Sequence, residues 1–326
     1  TITAPSGSYN YSVSGQALTL TGGVADRAGM SVSMSNAVTF AGDQTFGGAD
    51  GAAISLGGSA TVASGTLTVA GYMNTGTLTI ASGATVKFMN GAGISSLAGA
   101  GAVVITTPAS GPYANSLYLY DSGSASTFSG TIDVQKGAVL GASGNTPANV
   151  LGTAALTIED GGQLNLYVNP TPAAETGTVN IANAITLGGN GAGVDQMSQG
   201  AVMAGLYDNA KQETAGTLAV TFSGSVTLTS DTNLSSTYAT ATTYNFTGSL
   251  NKNGHVLGAT TAVQPTYGTS TVQVNGATVA GGAKAPGTPD TGFALASARP
   301  VLTLSMTLAS ALAIFGIARK TAAARR

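Results

Sequence analysis

The sequence predicts an all-β chain. Its body, from about residue 1 to 275, is expected to be an elongated parallel β-helix, or β-solenoid, followed by a single C-terminal transmembrane helix. Three observations lead there. Short runs of alternating apolar and polar residues, rich in Thr, Val, Ile and Leu and bounded by Gly, Asn, Ser or Asp, follow one another through the body. That is the period-two signature of half-buried strands. Many runs are joined through a single corner glycine with no large connection, as stacked short strands in a solenoid require. Near the C-terminus, the 18 residues from Val301 to Ala318 carry no charge, enough for a membrane span.

Taken in order, Ala17–Thr21, Thr61–Ala63 with Thr66–Ala70, and Thr77–Ala81 with Ala84–Phe88 read as strands. Leu156–Glu159 with Gln163–Val168 and Leu218–Phe222 with Ser225–Thr229 follow. The corner unit stands at Leu78–Gly83–Val86 and at Leu156–Gly161–Leu164, with a variant at Thr131–Gly137–Leu140. Glycine there admits a turn with positive φ that a Cβ would oppose. One window, Val194 to Asn209, places Met197, Val202, Met203 and Leu206 at near-helical spacing; it reads as a short helix or a loop between strands. Small residues are expected to face inward and Thr or Ser outward. With about 20–25 residues per coil and ~4.8 Å per rung, the body would span about 50–65 Å, and small-angle scattering from a compact globule would contradict that. The competing class is a β-sandwich or a pair of immunoglobulin-like domains, which need a larger aromatic core than 6% aromatics supply. Residues 276–287 read as a flexible linker, because Ala280–Gly287 is rich in Gly, Ala and Pro and lacks a strand pattern.

Composition narrows the function classes. Charged residues make up 7% of the chain, against roughly a quarter in ordinary soluble domains. There is no Cys, which removes disulfides and thiolate metal or redox sites. All 13 acidic residues lie at or before Asp290, and five of the 11 basic residues lie at or beyond Arg299. The body is therefore mildly acidic and is expected to bind no nucleic acid. No basic segment followed by an apolar one opens the sequence at Thr1; the expectation is that a secretory signal has been removed.

Catalytic constellations are scarce. The one histidine, His255, sits in an Asn-Gly-His turn and has no second His or Cys to build a metal cluster. Glu159-Asp160 reads as a solvated strand corner. The six basic residues before the tail, Arg27, Lys87, Lys136, Lys211, Lys252 and Lys284, form no cluster in sequence, whereas a solenoid enzyme acting on polysaccharide needs charged groups converging on one face. Strand stacking could still gather carboxylates from different rungs. Gly188–Asp195 resembles one copy of a calcium β-roll nonapeptide, without the tandem copies that such a site uses. Asn10, Asn233 and Asn245 open glycosylation-type triplets, read here as turn chemistry. No P-loop occurs. The chain is expected to have no catalytic residues, no metal and no cofactor.

The last 39 residues carry more information. Thr288-Pro289-Asp290-Thr291-Gly292 is followed by the apolar run Val301–Ala318 and then by Arg319, Lys320, Arg325 and Arg326. As a helix, the run would reach about 27 Å, slightly short of a ~30 Å hydrocarbon core. Arg299 and the terminal basic residues can snorkel to the two interfaces. The basic cluster should stay cytoplasmic, with the body outside. A buried core helix is the competing reading of the run. This order of elements resembles the C-terminal sorting signal of proteins that sortases attach to bacterial cell walls. The resemblance implies that a sortase thiolate attacks the Thr291 carbonyl, releases Gly292 onward and passes the body to a peptidoglycan amine. Pro289 would bend the motif, and Asp290 fills its variable position. Thr288 departs from the usual Leu, at a cost of roughly 1–3 kcal/mol of pocket contact. The tail as a whole, 288–326, is thus expected to be a sorting signal, with an uncleaved tail-anchored membrane protein as the alternative. An exosortase-type signal has the same order of elements, but its Pro-Glu-Pro is missing here.

Two body segments also resemble autotransporter passenger repeats, in which an aromatic-Ser/Thr-Gly corner precedes a Thr-rich and then a Leu-rich strand. They are Thr127–Leu140 and Tyr244–Leu250 with Asn253–Gly258. That family implies a right-handed parallel β-helix used for adhesion and surface display. The C-terminal transmembrane β-barrel of the family is missing, and the sorting tail takes its place. Together these readings predict an extracellular, wall-anchored structural or adhesive protein. Its partners would be sortase, peptidoglycan, the membrane before cleavage, and glycans or other cell surfaces. A surface polysaccharide-degrading enzyme on the same scaffold is the alternative.

Overall fold

The computed structural model describes residues 9–24, 30–47, 53–106, 116–121, 123, 125–169, 176–192, 200–206, 216–237, 241–261 and 269–281. Apart from one 3-10 turn, Pro147–Leu151, every regular element among them is a strand. The strands form a 23-stranded sheet and a 5-stranded sheet. Every pairing between strands is parallel except the last, in which Thr269–Val274 and Ala277–Gly281 make an antiparallel hairpin. That hairpin lies partly within the stretch 276–287 that the sequence marks as a linker. The chain divides into two compact units, Thr1–Ala285 and Pro286–Arg326; the second lies wholly outside the described residues.

Three parallel ladders organise the first unit. The first joins Tyr9–Val13, Met30–Met34, Ala53–Leu56, the start of Tyr72–Ile80, the start of Ala92–Gly99 and Ser116–Tyr120. It continues through Val139–Gly144, Gln163–Val168, Val202–Leu206, the end of Val226–Thr237 and Leu257–Thr261. The second runs from Leu18–Leu20 through Val38–Phe40, Ala60–Val62 and the ends of Tyr72–Ile80 and Ala92–Gly99 to Thr127–Phe128. The third runs from Gln44–Phe46 through Thr66–Val69, Thr85–Phe88, Ala102–Ile105, Thr131–Val134 and Ala155–Ile158 to Ile185–Gly189, Val226–Thr237 and Leu250–Asn251. The chain visits the three ladders in turn and returns to the first one level on. This path is compatible with a β-solenoid.

Sequence explains the ladders through alternation. In the third, Leu67, Val86, Val103, Ile132, Leu156, Ile185 and Val226 stand in register. All of them are buried. Two residues on, Val69, Phe88, Ile105, Val134, Ile158, Leu187 and Leu228 form a second buried file. Like side chains therefore stack along the ladder, and a one-residue slip would expose every one of them. The interior is thus built mainly of Leu, Val, Ile and Phe, with the small residues expected from composition in a lesser share, among them Ala60, Ala92 and Ala142. Ala, Gly and Ser are abundant in the chain, but alternation sends the branched residues inward. Six phenylalanines, Phe40, Phe46, Phe88, Phe128, Phe222 and Phe246, are fully covered. Phe40 and Phe46 meet edge to face at 5.1 Å, and Phe222 stacks on Phe246 at 4.7 Å. An aromatic-poor sequence still supplies aromatics where coils turn.

The second ladder breaks at the 3-10 turn. Pro147 opens that turn and has no N–H to donate, so a strand ladder cannot continue through it. Beyond it, Thr176–Ile181, Thr217–Phe222, Ala241–Phe246 and Thr269–Val274 pair in their own sheet. The corner unit occurs at two different corners. Gly83, with φ 79°, turns the chain from the second ladder to the third, whereas Gly137 and Gly161, with φ 78° and 87°, turn it from the third to the first. Amide side chains lock other corners. Gln44 accepts from the Gly23 amide at 3.1 Å and donates to the Leu20 and Ala41 carbonyls at 2.9 and 3.2 Å. Asn183 donates to the Gly152 and Ala154 carbonyls at 3.2 and 2.8 Å.

Two expectations change in detail. Successive residues of one inward file, Val32, Ile54, Met73, Ala92, Leu117, Leu140, Leu164, Val202, Leu234 and the half-buried Ala259, lie 19 to 38 residues apart. The longest interval, from Leu164 to Val202, spans 170–175 and 193–199, outside the described residues. Within the window 194–209, Val202–Leu206 is a strand paired with Leu164–Val168. All five of its residues are buried. A strand covered on both faces loses its alternation, which is why Val202, Met203 and Leu206 imitate helical spacing.

Candidate functional site

The sorting residues Thr288, Pro289, Asp290, Thr291 and Gly292, the run 301–318 and the basic residues Arg319, Lys320, Arg325 and Arg326 all lie outside the described residues. Among the described residues, no helix is long and apolar enough to cross a membrane. The remaining candidates fall on the body.

His255 follows a turn in which Asn253 and Gly254 have φ of 48° and 82°. Its Nδ1 lies 3.7 Å from Asp231 Oδ1. The same Asp231 oxygen accepts from the Val256 amide at 2.9 Å, so the pair fastens one coil to the next. Glu159 and Asp160 are exposed at a corner. Stacking brings Glu159 towards Asp133 from the coil before. Burial first, and then the Glu159 charge, push the Asp133 carboxyl above its ordinary range. The Lys136 amide donates to Glu159 Oε2 at 3.4 Å. Among the described residues, no group of three or more His, Cys, Asp or Glu could hold a metal ion. In the glycine-rich stretch, Gly189 has φ 81° and packs beneath Asp160; residues 193–195 lie outside the described residues. Of the glycosylation-type residues, Asn233 donates to the Asn190 carbonyl oxygen of its side chain, and Asn10 and Asn245 lie in strands.

The most distinctive outward feature is a group of tyrosines on the first ladder. Alternation in Ser116–Tyr120 buries Leu117 and Leu119 and turns Tyr118 and Tyr120 outward. The two rings stack at 6.3 Å with planes 23° apart. Tyr72, two coils earlier, is 38% exposed and Tyr120 is 46% exposed. Glycines make the floor. A methyl group at Gly93 would lie 3.2 Å from Tyr120 Cε2, 3.2 Å from Tyr72 Oη and 3.9 Å from Asn74 Oδ1. One at Gly141 would lie 2.7 Å from Tyr118 Cε1. The rings thus rest on bare backbone, close to the strand. Burial, followed by the neighbouring Tyr72 and Tyr118 phenols, pushes the Tyr120 phenol up to about 12. Burial and Tyr118 likewise raise Tyr72. Both stay neutral and keep an O–H to donate.

One carboxylate adjoins the group. Asp121 accepts from the Gly123 amide at 2.9 Å and from the Thr146 amide and hydroxyl at 2.9 and 2.6 Å. Burial raises its pKa, but the hydrogen bonds from Thr146 and Gly123 outweigh that and leave it lowered. It is engaged in holding the loop. The spacing of Tyr118 and Tyr120 was visible in the sequence, but the meeting with Tyr72, Asn74 and Gly93 depends on register and was not.

A scan of protein-family models, a search of curated proteins and a search of solved structures each return no match.

Proposed function

We propose that this chain is a cell-surface protein, structural or adhesive, that a sortase attaches to peptidoglycan through its C-terminal signal and that catalyses no reaction itself. One observation carries the reading: Thr288–Gly292, the uncharged run Val301–Ala318 and the basic residues Arg319 to Arg326 follow one another in the order that sorting requires. The parallel ladders support it from the other side, since a body of stacked coils is suited to holding a binding surface away from a wall. In this reading the body is a right-handed β-helix, the tail spans the membrane before cleavage, and the mature protein is extracellular. Mass spectrometry of muramidase-released protein tests it. A C-terminal Thr291 carrying a peptidoglycan fragment is expected, and an intact Arg326 refutes sorting in favour of an uncleaved membrane anchor.

A second reading, a surface enzyme acting on polysaccharide, is favoured by the approach of Glu159 to Asp133, whose carboxyl is held towards its protonated form. It predicts release of reducing sugar that Asp133→Asn abolishes. Binding without turnover favours the first reading.

A further inference from the structure

We propose that Tyr72, Tyr118 and Tyr120, with Asn74, form a binding site for a neutral carbohydrate chain on the outer face of the first ladder. The inference deepens the surface-display reading and rests on it for the source of the sugar, not for the geometry of the site.

The floor is the first argument. Gly93 and Gly141 leave room for the rings to lie close to the strand, and a Cβ at either position would press on them. Rings standing edge-on to the sheet would present only their rims. Above this floor Tyr72 and Tyr120 remain exposed and offer aromatic surface to a partner. A tyrosine face is the negative side of a quadrupole and attracts the weakly positive C–H groups on one side of a pyranose ring.

The second argument is the polar rim. Tyr72 Oη and Asn74 Oδ1 converge above Gly93. Neutral phenols donate and accept hydrogen bonds, and the Asn74 amide does both. A ligand that is apolar on one side and hydroxyl-rich at its edge satisfies both sets of groups at once. Sugars have that character, and aliphatic or purely aromatic ligands do not.

The third argument is charge. No Lys or Arg occupies the described strand positions beside the tyrosines, and Asp121 is already engaged by Gly123 and Thr146. Among the described residues, an acidic polysaccharide would find no counter-charge beside the rings and a cationic peptide no free carboxylate. A neutral glycan needs neither.

The test uses the full-length chain and named probes: cello-, xylo- and malto-oligosaccharides and a neutral mannan. The chain has 11 Tyr and no Trp, so tyrosine emission is not masked by indole, and a ligand-induced change that the site substitutions remove reports contact there. Saturable fluorescence change with at least one probe is expected. Tyr72→Ala and Tyr120→Ala should each weaken binding about three- to tenfold, and Tyr120→Phe should keep most of it. Val256→Ala, at an exposed residue elsewhere, should change nothing. Circular dichroism identical to the parent shows that a variant folds. Should Tyr72→Ala not fold, the pair Tyr120→Ala and Tyr120→Phe decides alone. No saturable response to any probe, or equal binding by the alanine variants, overturns the proposal. So does a doubling of mass in light scattering that the tyrosine substitutions abolish, because the patch would then seat a second copy of the chain. An intact Arg326 in wall extracts removes the surface-display reading and leaves the binding measurements as they stand.

Discussion

Gly76 and Gly99 lie on neighbouring coils and respond to a methyl group in opposite ways. Gly99 has φ 92°, and a Cβ there would overlap the Ile80 carbonyl oxygen. Gly76 has open space around it and no positive φ. Gly99→Ala is therefore expected to cost roughly 2 kcal/mol or more, and Gly76→Ala to be neutral or to stabilise by up to about 1 kcal/mol. Urea midpoints at unchanged slope check both. Tyr120 supplies a second test at this scale. Its phenol is raised to about 12 in the folded chain, against about 10 when unfolded. The folded state keeps a proton that the unfolded state gives up, so the stabilisation is complete below pH 10 and disappears as pH rises through about 12. Over that window the parent should lose stability relative to Tyr120→Phe, read as a converging or crossing pair of urea midpoints. The periodicity that turns Tyr120 outward is written in residues 116–120. Its neighbours Gly93 and Tyr72 lie one and two coils away, and one sequence contains no register.

At the scale of the element, corners decide more than strands. A strand of three or four residues, such as Gln44–Phe46 or Thr66–Val69, makes few bonds and relies on where the chain enters it. Gln44 holds three backbone groups of one corner and is 8% exposed. Gln44→Ala would remove all three bonds, leaving Leu20 with only its bond from the Ala41 amide, at a cost of about 2 kcal/mol or more, and Gln44→Glu should fail to restore it, because a carboxylate cannot donate to Leu20 and Ala41. Thermal unfolding of the two variants measures the difference. The corner glycines were legible, since a lone Gly between two alternating runs has a backbone reason to be there. That Gly83 and Gly161 serve different corners was not, because the same φ solves both turns. The strand Val202–Leu206 was hidden for a related reason: covering both faces erased the pattern that marks a strand.

At the scale of the whole molecule, charge separates body from tail. Residues 1–291 hold 13 acidic and six basic residues, a formal charge of −7, whereas the entire chain carries −2. Cleavage after Thr291 should thus yield a product distinctly more acidic than its precursor, and isoelectric focusing before and after sortase treatment would reveal it. An unshifted band would count against processing at that bond. The sequence by itself determined the strand-rich character of the body, the glycine corners and the order of motif, apolar run and basic cluster, because each is a local pattern of hydrophobicity, backbone freedom or charge. Only the tertiary structure decided which strands share a ladder, which side chains fill the interior and which tyrosines, glycines and carboxylates meet on its surface. Parallel pairing joins residues 17 to 43 positions apart, and contacts over such intervals are fixed by stacking of buried files, whose register no local pattern records.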